Sequence, residues 1–166
     1  MPVDLHLHST LSDGSDEPED LVAGAVAAGL STIALTDHDN LEGIERARTA
    51  AEVAGIDLIP GTELSVDWPG GAMHLLVYFL EPGPGPLQDE LTRIQEGRSA
   101  RNRQMVDQLT SLGLEITYDE VAAQAGPGVT GRPHFAAILM QKGYTDSIKE
   151  AFDVFLADLF IADQPK

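Results

Sequence analysis

The sequence has no cysteine, ten lysines and arginines against 27 aspartates and glutamates, one tryptophan, and no apolar run of membrane-spanning length. Each lack removes a class of function. Without cysteine there is no disulfide framework, no thiolate nucleophile and no thiolate zinc site, so any metal must be held by histidine and carboxylate. The formal charge of −17 argues against a broad nucleic-acid surface, because phosphate backbones need Lys and Arg to displace their counterions. A phosphorylated ligand would have to be caught locally, by a metal or a few arginines. The N-terminus shows no basic stretch followed by an apolar one, which points to a cytoplasmic protein without a membrane partner. With 166 residues, 43% of them hydrophobic, the chain can build a core without staples.

What is present centres on residues 3–14, VDLHLHSTLSDG. In a strand, side chains at i and i+2 share a face, so Asp4, His6 and His8 line one edge. Alone, a His-x-His pair reads equally as two ordinary strand residues. The Ser-Thr-Leu-Ser-Asp-Gly that follows reads as a loop able to fold Asp13 back over the strand end.

The chain continues with Ser15-Asp16-Glu17-Pro18, a helix start in which Ser or Asp can cap and proline takes the first turn. The helix runs to about Ala28. Residues 31–36, STIALT, form a strand buried on both faces, and Asp37-His38-Asp39-Asn40 follow it. A helix over 41–54 and a short strand over 57–60 lead into Gly61-Thr62-Glu63. This βαβαβ rhythm implies a parallel sheet. His8, Asp13, Asp37, His38 and Glu63 all fall at or just beyond strand C-terminal ends, where α/β folds assemble their sites. Residues 64–68 and 72–80 flank Pro69-Gly70-Gly71 and read as a hairpin, with His74 entering its second strand, where a structural role is the ordinary one. The Pro-Gly breaker at 81–86 separates an α/β part, residues 1–80, from a helical part, residues 81–166.

The helical part opens with a long charged helix over 87–112. Its Arg93, Arg98, Arg101 and Arg103 read mostly as a solvated face. A short helix covers 118–125, and the glycine-rich GPGVTGR at 126–132 opens another helix near Pro133. Arg132 and His134 stand beside that helix start, a reasonable but weak anion site. A last helix spans 147–159, before a tail at 161–166.

A set of histidines and carboxylates suits Mn, Fe or Zn, because imidazole favours transition metals. Two such ions bridged by Glu63 would activate a water and neutralise the oxygens of a phosphate ester.

His6-Leu7-His8, Ser12-Asp13-Gly14, Thr36-Asp37-His38, Gly61-Thr62-Glu63 and His74, in this order, resemble the N-terminal motifs of the polymerase and histidinol phosphatase (PHP) family. Arg101-Asn102 and Gly131-Arg132-Pro133-His134 resemble its branch of nucleotide phosphatases and 5′-to-3′ ribonucleases acting on short RNA. The resemblance implies an α/β fold, a partial distorted (β/α)7 barrel with a helical insertion. It implies His6, His8, Asp13, His38, Glu63 and His74 as ligands of two or three divalent metals, with Asp13, His38 and Glu63 as the catalytic trio. It places Arg101, Asn102, Arg132 and His134 at the phosphate of a nucleotide or short RNA. The expected reaction is phosphate ester hydrolysis by a metal-activated water. No histidine follows His134, so the late motifs of the family are absent and the expectation is its N-terminal part only. A half barrel leaves strand edges open, which predicts a homodimer. Two alternatives stand beside hydrolysis of a phosphate ester: a binding module without turnover, and hydrolysis of a different bond on the same scaffold.

Overall fold

The computed structural model describes residues 2–68, 71–126 and 128–156. Two compact units divide the chain: Met1–Gln95 with Pro127–Val129, and Glu96–Gly126 with Thr130–Lys166.

The first unit is an α/β unit built on a sheet of order β1-β2-β3-β4. Strands β1 (Val3–Leu7), β2 (Thr32–Leu35) and β3 (Asp57–Trp68) run parallel, and β4 (Gly71–Tyr78) returns antiparallel to β3. The crossovers are α1 (Pro18–Ala27) and α2 (Ile44–Ala54). Helix α1 buries Pro18, Val22 and Ala25, and α2 buries Ile44, Ala47 and Ala51. Both sets follow the three-to-four spacing of one helix face. Val22, Ala25 and the three α2 residues close with Ile33, Leu35, Leu41 and Leu91 into one apolar core.

The expected strands at 57–60 and 64–68 are one strand of 12 residues, β3. Its first four residues pair with β2, and from Gly61 onward it pairs with β4. Pro60 sits at this change of neighbour, where its missing N–H costs no ladder bond. Across the sheet, Tyr78 of β4 donates its hydroxyl to the carbonyl of Leu5 in β1, at 2.9 Å. A tyrosine cannot span three flat inter-strand spacings, so the sheet is curled.

Two expected boundaries shift. Helix α2 begins at Ile44 rather than at 41, and the N-cap of α1 is Glu17, with no side-chain capping bond. Glu17 instead accepts a hydrogen bond from Thr10 Oγ1 at 2.7 Å and one from Arg46 at 2.7 Å.

The second unit is helical. Helix α3 (Pro86–Ser111) begins in the first unit and enters the second, which continues with α4 (Tyr118–Ala125), α5 (Arg132–Gln141) and α6 (Ile148–Ala151), then a π-helical turn at Phe152–Leu156. Thr117 and Glu120 form a reciprocal capping box at the start of α4. Met105, Leu109, Val121, Phe135, Leu139 and Leu156 centre its core. The arginines of α3 are not one solvated face. Arg93 and Arg103 are exposed, whereas Arg98 is buried and Arg101 half-buried, because the helix turns them toward the core side with Asn102. Residues 69–70 of the expected hairpin turn, the expected helix beyond 156 and the tail at 161–166 lie outside the described residues. Among the described residues, no helix is long and apolar enough to cross a membrane.

Candidate metal centre

Four imidazoles surround one carboxylate at the C-terminal end of the sheet. Glu63 Oε2 lies 2.7 Å from His6 Nε2, 2.9 Å from His8 Nε2 and 3.9 Å from His38 Nε2. Its other oxygen, Oε1, lies 2.6 Å from His74 Nδ1. Asp13 joins from the loop, its carboxylate 3.5 Å from His8 Nδ1 and 3.6 Å from His38 Nε2. The rings of His6, His8, His38 and His74 follow one another at centroid spacings of 5.0, 4.8 and 4.9 Å.

The backbone explains how residues so distant in sequence meet. Past the end of β2 the chain continues alongside β3, and His38 pairs with Glu63 in a parallel bridge. Glu63 N–H donates to the Asp37 carbonyl, and Asp39 N–H donates to the Glu63 carbonyl. On the other side of β3, Ser65 is the register partner of His74. The turn after β1 is closed by Ser12 and Gly14 N–H groups on the Ser9 carbonyl, both at 3.0 Å. At Gly14 a Cβ would stand 2.1 Å from the His8 carbonyl oxygen, so only glycine permits this turn and hence the approach of Asp13.

Beneath the ligating atoms lies a dense layer of buried polar side chains. Asp37 accepts from Ser9 N–H, Ser9 Oγ and Ser12 Oγ at 2.7, 2.6 and 2.6 Å. Asp39 accepts from Ser65 N–H and Oγ at 2.7 and 2.9 Å, and its φ of 50° is the left-handed conformation that Asp tolerates better than most residues. Asn40 Nδ2 reaches the Leu11 carbonyl at 2.8 Å, and Thr62 donates to the Asp37 carbonyl at 2.7 Å. Such a layer fixes the ligand-bearing atoms above it.

Burial holds the His8 imidazole below its ordinary pKa, and the neighbouring His38 lowers it further. For Glu63, burial alone would raise the carboxyl, but the hydrogen bond from His6, the charge of His38 and the hydrogen bond from His74 outweigh it and hold it low. The result is an ionised carboxylate facing imidazoles at least one of which favours its neutral form, the protonation states that metal binding requires.

Three overlapping groups could each hold a cation: His6, His8 and Glu63; His8, Asp13 and His38; and His38, Glu63 and His74. Within each, the offered atoms lie within 4.8 Å of one another. The donor set is imidazole plus carboxylate, suited to Mn, Fe or Zn. His38 turns Nε2 toward Asp13 and Glu63, while its Nδ1 is buried without a hydrogen-bond partner among the described residues. The residues therefore fit a divalent metal. Asp4, on the same strand as His6, accepts the His6 backbone N–H at 3.1 Å and belongs to none of the three groups.

The expected phosphate residues all belong to the second unit. Asn102 is buried and donates from Nδ2 to the Thr130 carbonyl at 2.8 Å. His134 Nδ1 accepts the Gly131 N–H at 2.9 Å, which places its remaining proton on Nε2. A Cβ at Gly131 would stand 3.8 Å from Arg98 Nη1. Arg98 is the residue that sequence reasoning left on a solvated face. Within the glycine-rich loop, Gly128 serves packing rather than anion capture: a Cβ there would stand 2.4 Å from the Thr10 carbonyl oxygen.

The PHP domain model matches residues 4–161. The chain belongs to the PHP domain family. It is 38% identical over 154 residues to a 5′-3′ exoribonuclease of Haemophilus influenzae, a match covering 92% of this chain and 56% of that protein. It is 34% identical over 155 residues to a 3′,5′-nucleoside bisphosphate phosphatase of Chromobacterium violaceum, covering 93% and 54%. Among solved structures, a Bifidobacterium adolescentis protein inferred to be a metal-dependent phosphoesterase superposes with a TM-score of 0.87 at 30% identity, over 98% of this chain and 58% of that one. A Chromobacterium violaceum amidohydrolase with bound sulfate and no metal gives 0.88 at 32% identity, over 98% and 58%. The chain thus spans about half the length of the curated relatives it matches.

Proposed function

We propose that this PHP chain is a metal-dependent phosphoesterase that hydrolyses phosphate esters of nucleotides or short oligonucleotides. The observation that carries the reading is Glu63, a buried carboxylate with imidazoles on both oxygens and Asp13 beside the same histidines. His6, His8, Asp13, His38, Glu63 and His74 would hold two or three divalent ions, Mn, Fe or Zn. Such ions, when bound, lower the pKa of a coordinated water and offset charge on a phosphate ester. Glu63 turns one oxygen to the His6 and His8 side and the other to His74, so it would offer an oxygen to an ion on either side. Asp13 and His38 set the third edge. Arg101, Asn102, Arg132 and His134 are assigned to the substrate phosphate, with His134 Nε2–H as a donor. The relatives support nucleotide or RNA esters: one is named for nucleoside bisphosphates and another for RNA. The curled sheet is read as the first strands of a seven-stranded barrel, and its open edges favour a homodimer, testable by light scattering.

The test is inorganic phosphate release from adenosine 3′,5′-bisphosphate and AMP, with metal-stripped protein before and after Mn²⁺ is restored. Release that needs Mn²⁺ and is lost in His8→Ala and Glu63→Gln is the expected result. Metal uptake without release from either ester would replace this reading with that of a binding module.

A further inference from the structure

We propose that Ser12, anchored by Asp37, is a positioning residue for His8: it fixes the imidazole with its proton on Nδ1 and its lone pair on Nε2. The inference rests on His8 being a metal ligand, and extends that reading to residues that touch no metal.

A serine hydroxyl has a single hydrogen to give, and an ionised carboxylate can only accept. Ser12 Oγ lies 2.6 Å from Asp37 Oδ1 and 3.3 Å from His8 Nδ1. Asp37 is buried, and Ser9 already gives it an N–H and a hydroxyl, so it is an acceptor on every side shown. The Ser12 hydrogen therefore goes to Asp37. Toward His8 the hydroxyl can then present only lone pairs, and Nδ1 must carry the ring hydrogen. Asp13 Oδ1, 3.5 Å from the same Nδ1, is a second acceptor and works in the same direction.

The consequence falls on the other nitrogen. Nε2 is left with a lone pair and faces Glu63 Oε2 at 2.9 Å. Two acceptor atoms at that separation need a proton or a metal ion shared between them, and a neutral His8 offers the Nε2 lone pair to either. Ser12 thus makes the Nε2 edge of His8 a standing cation ligand, because its own proton is committed to Asp37. The same carboxylate lies next to His38 in the chain, so it ties the turn carrying Asp13 to the segment carrying His38. Outer partners of this type orient ligating imidazoles and set their tautomer.

The test reads the His8 tautomer from long-range ¹H–¹⁵N correlation spectra of metal-free, ¹⁵N-histidine-labelled protein, alongside Zn²⁺ affinity by calorimetry. Wild type and Ser12→Thr, which restores a hydroxyl, are expected to hold His8 in the Nδ1–H form. Ser12→Ala removes one oxygen. It is expected to give a mixed tautomer population and Zn²⁺ affinity lower by roughly 10- to 100-fold, recovered within a few-fold in Ser12→Thr. An unchanged tautomer in Ser12→Ala, or an affinity within twofold of wild type, overturns the proposal. So does a loss that Ser12→Thr fails to rescue. Wild type that binds no Zn²⁺ would refute the metal reading, while the spectra of the metal-free protein would still decide the tautomer.

Discussion

Ser65 gives both its N–H and its hydroxyl to a single carboxylate, that of Asp39, at 2.7 and 2.9 Å. The pair fastens the segment carrying His38 to the strand position whose register partner is His74. Asp39→Ala would strand these donors and place a Cβ-bearing residue without a polar side chain at φ 50°. The expected loss is about 2 to 4 kcal/mol from the charged hydrogen bonds and the left-handed backbone together, read as a lower urea midpoint. Asp39→Gly removes the backbone part of that cost and is expected to be milder by about 1 kcal/mol.

Two glycines with opposite surroundings predict opposite signs. At Gly128 a Cβ would stand 2.4 Å from the Thr10 carbonyl oxygen and 2.9 Å from the Ser12 carbonyl oxygen, so Gly128→Ala must displace backbone. A destabilisation of about 1 to 3 kcal/mol is expected, with weakened metal binding, since the same turn leads to Asp13. Gly24, inside α1, has nothing within 4 Å of a built Cβ. Gly24→Ala is expected to raise stability by about 0.5 to 1 kcal/mol through helix propensity alone. Thermal unfolding of both variants settles the pair.

The surface tie of Thr10, Glu17, Glu19 and Arg46 carries a pH signature. The hydrogen bond from Thr10, then that from Arg46, hold Glu17 below the usual carboxylate range, and the hydrogen bond from Arg46 does the same for Glu19. A carboxyl depressed in the folded state adds stability above its unfolded-state pKa of about 4.3 and loses it as pH falls through the lower folded value. The difference in melting temperature between wild type and Arg46→Gln should therefore be steady near neutrality and shrink below about pH 4. Salt should shrink it too, because the groups are exposed.

Metal addition should stabilise the fold measurably. Zn²⁺ at about a hundred times its dissociation constant is expected to add roughly 2.7 kcal/mol to unfolding, reversed by chelation. Glu63→Gln should abolish that gain. A gain undiminished in Glu63→Gln would remove Glu63 from the ligand set.

Much of the centre is legible in the sequence. His8, Asp13 and His38 stand just beyond strand ends, which can be read from apolar runs and glycine stops; Glu63, expected just past a strand end, instead lies inside β3 where that strand exchanges β2 for β4. His74 was legible only through family resemblance, because its own strand context suits a structural histidine equally well. What the chain did not disclose depends on tertiary partners. By sequence the short strand ends at Pro60, whereas β3 runs on to Trp68 and its ladder changes sides at Pro60. Glu17 looked like part of a capping segment, but Arg46, 29 positions later, competes for its carboxylate. Arg98 looked solvated, since a charge on a long polar helix usually is, yet its face of α3 is buried. In the sequence Asp37 reads as one more polar residue at a strand end. Its three serine donors come from the Ser9 to Ser12 turn and are invisible in a linear reading.

The close seat of Gly128 against the Thr10–Ser12 turn also has a meaning in time. A chain made from its N-terminus presents all six candidate ligands, residues 6 to 74, before Gly128 has been synthesised. During that interval the turn leading to Asp13 lacks its backbone cover, and the Leu11 carbonyl has not yet received the N–H of Val129. Ion capture by the sheet end can therefore precede the fastening of the loop that carries one of its carboxylates. A cation taken up by the nascent chain at that stage would meet an unlatched site.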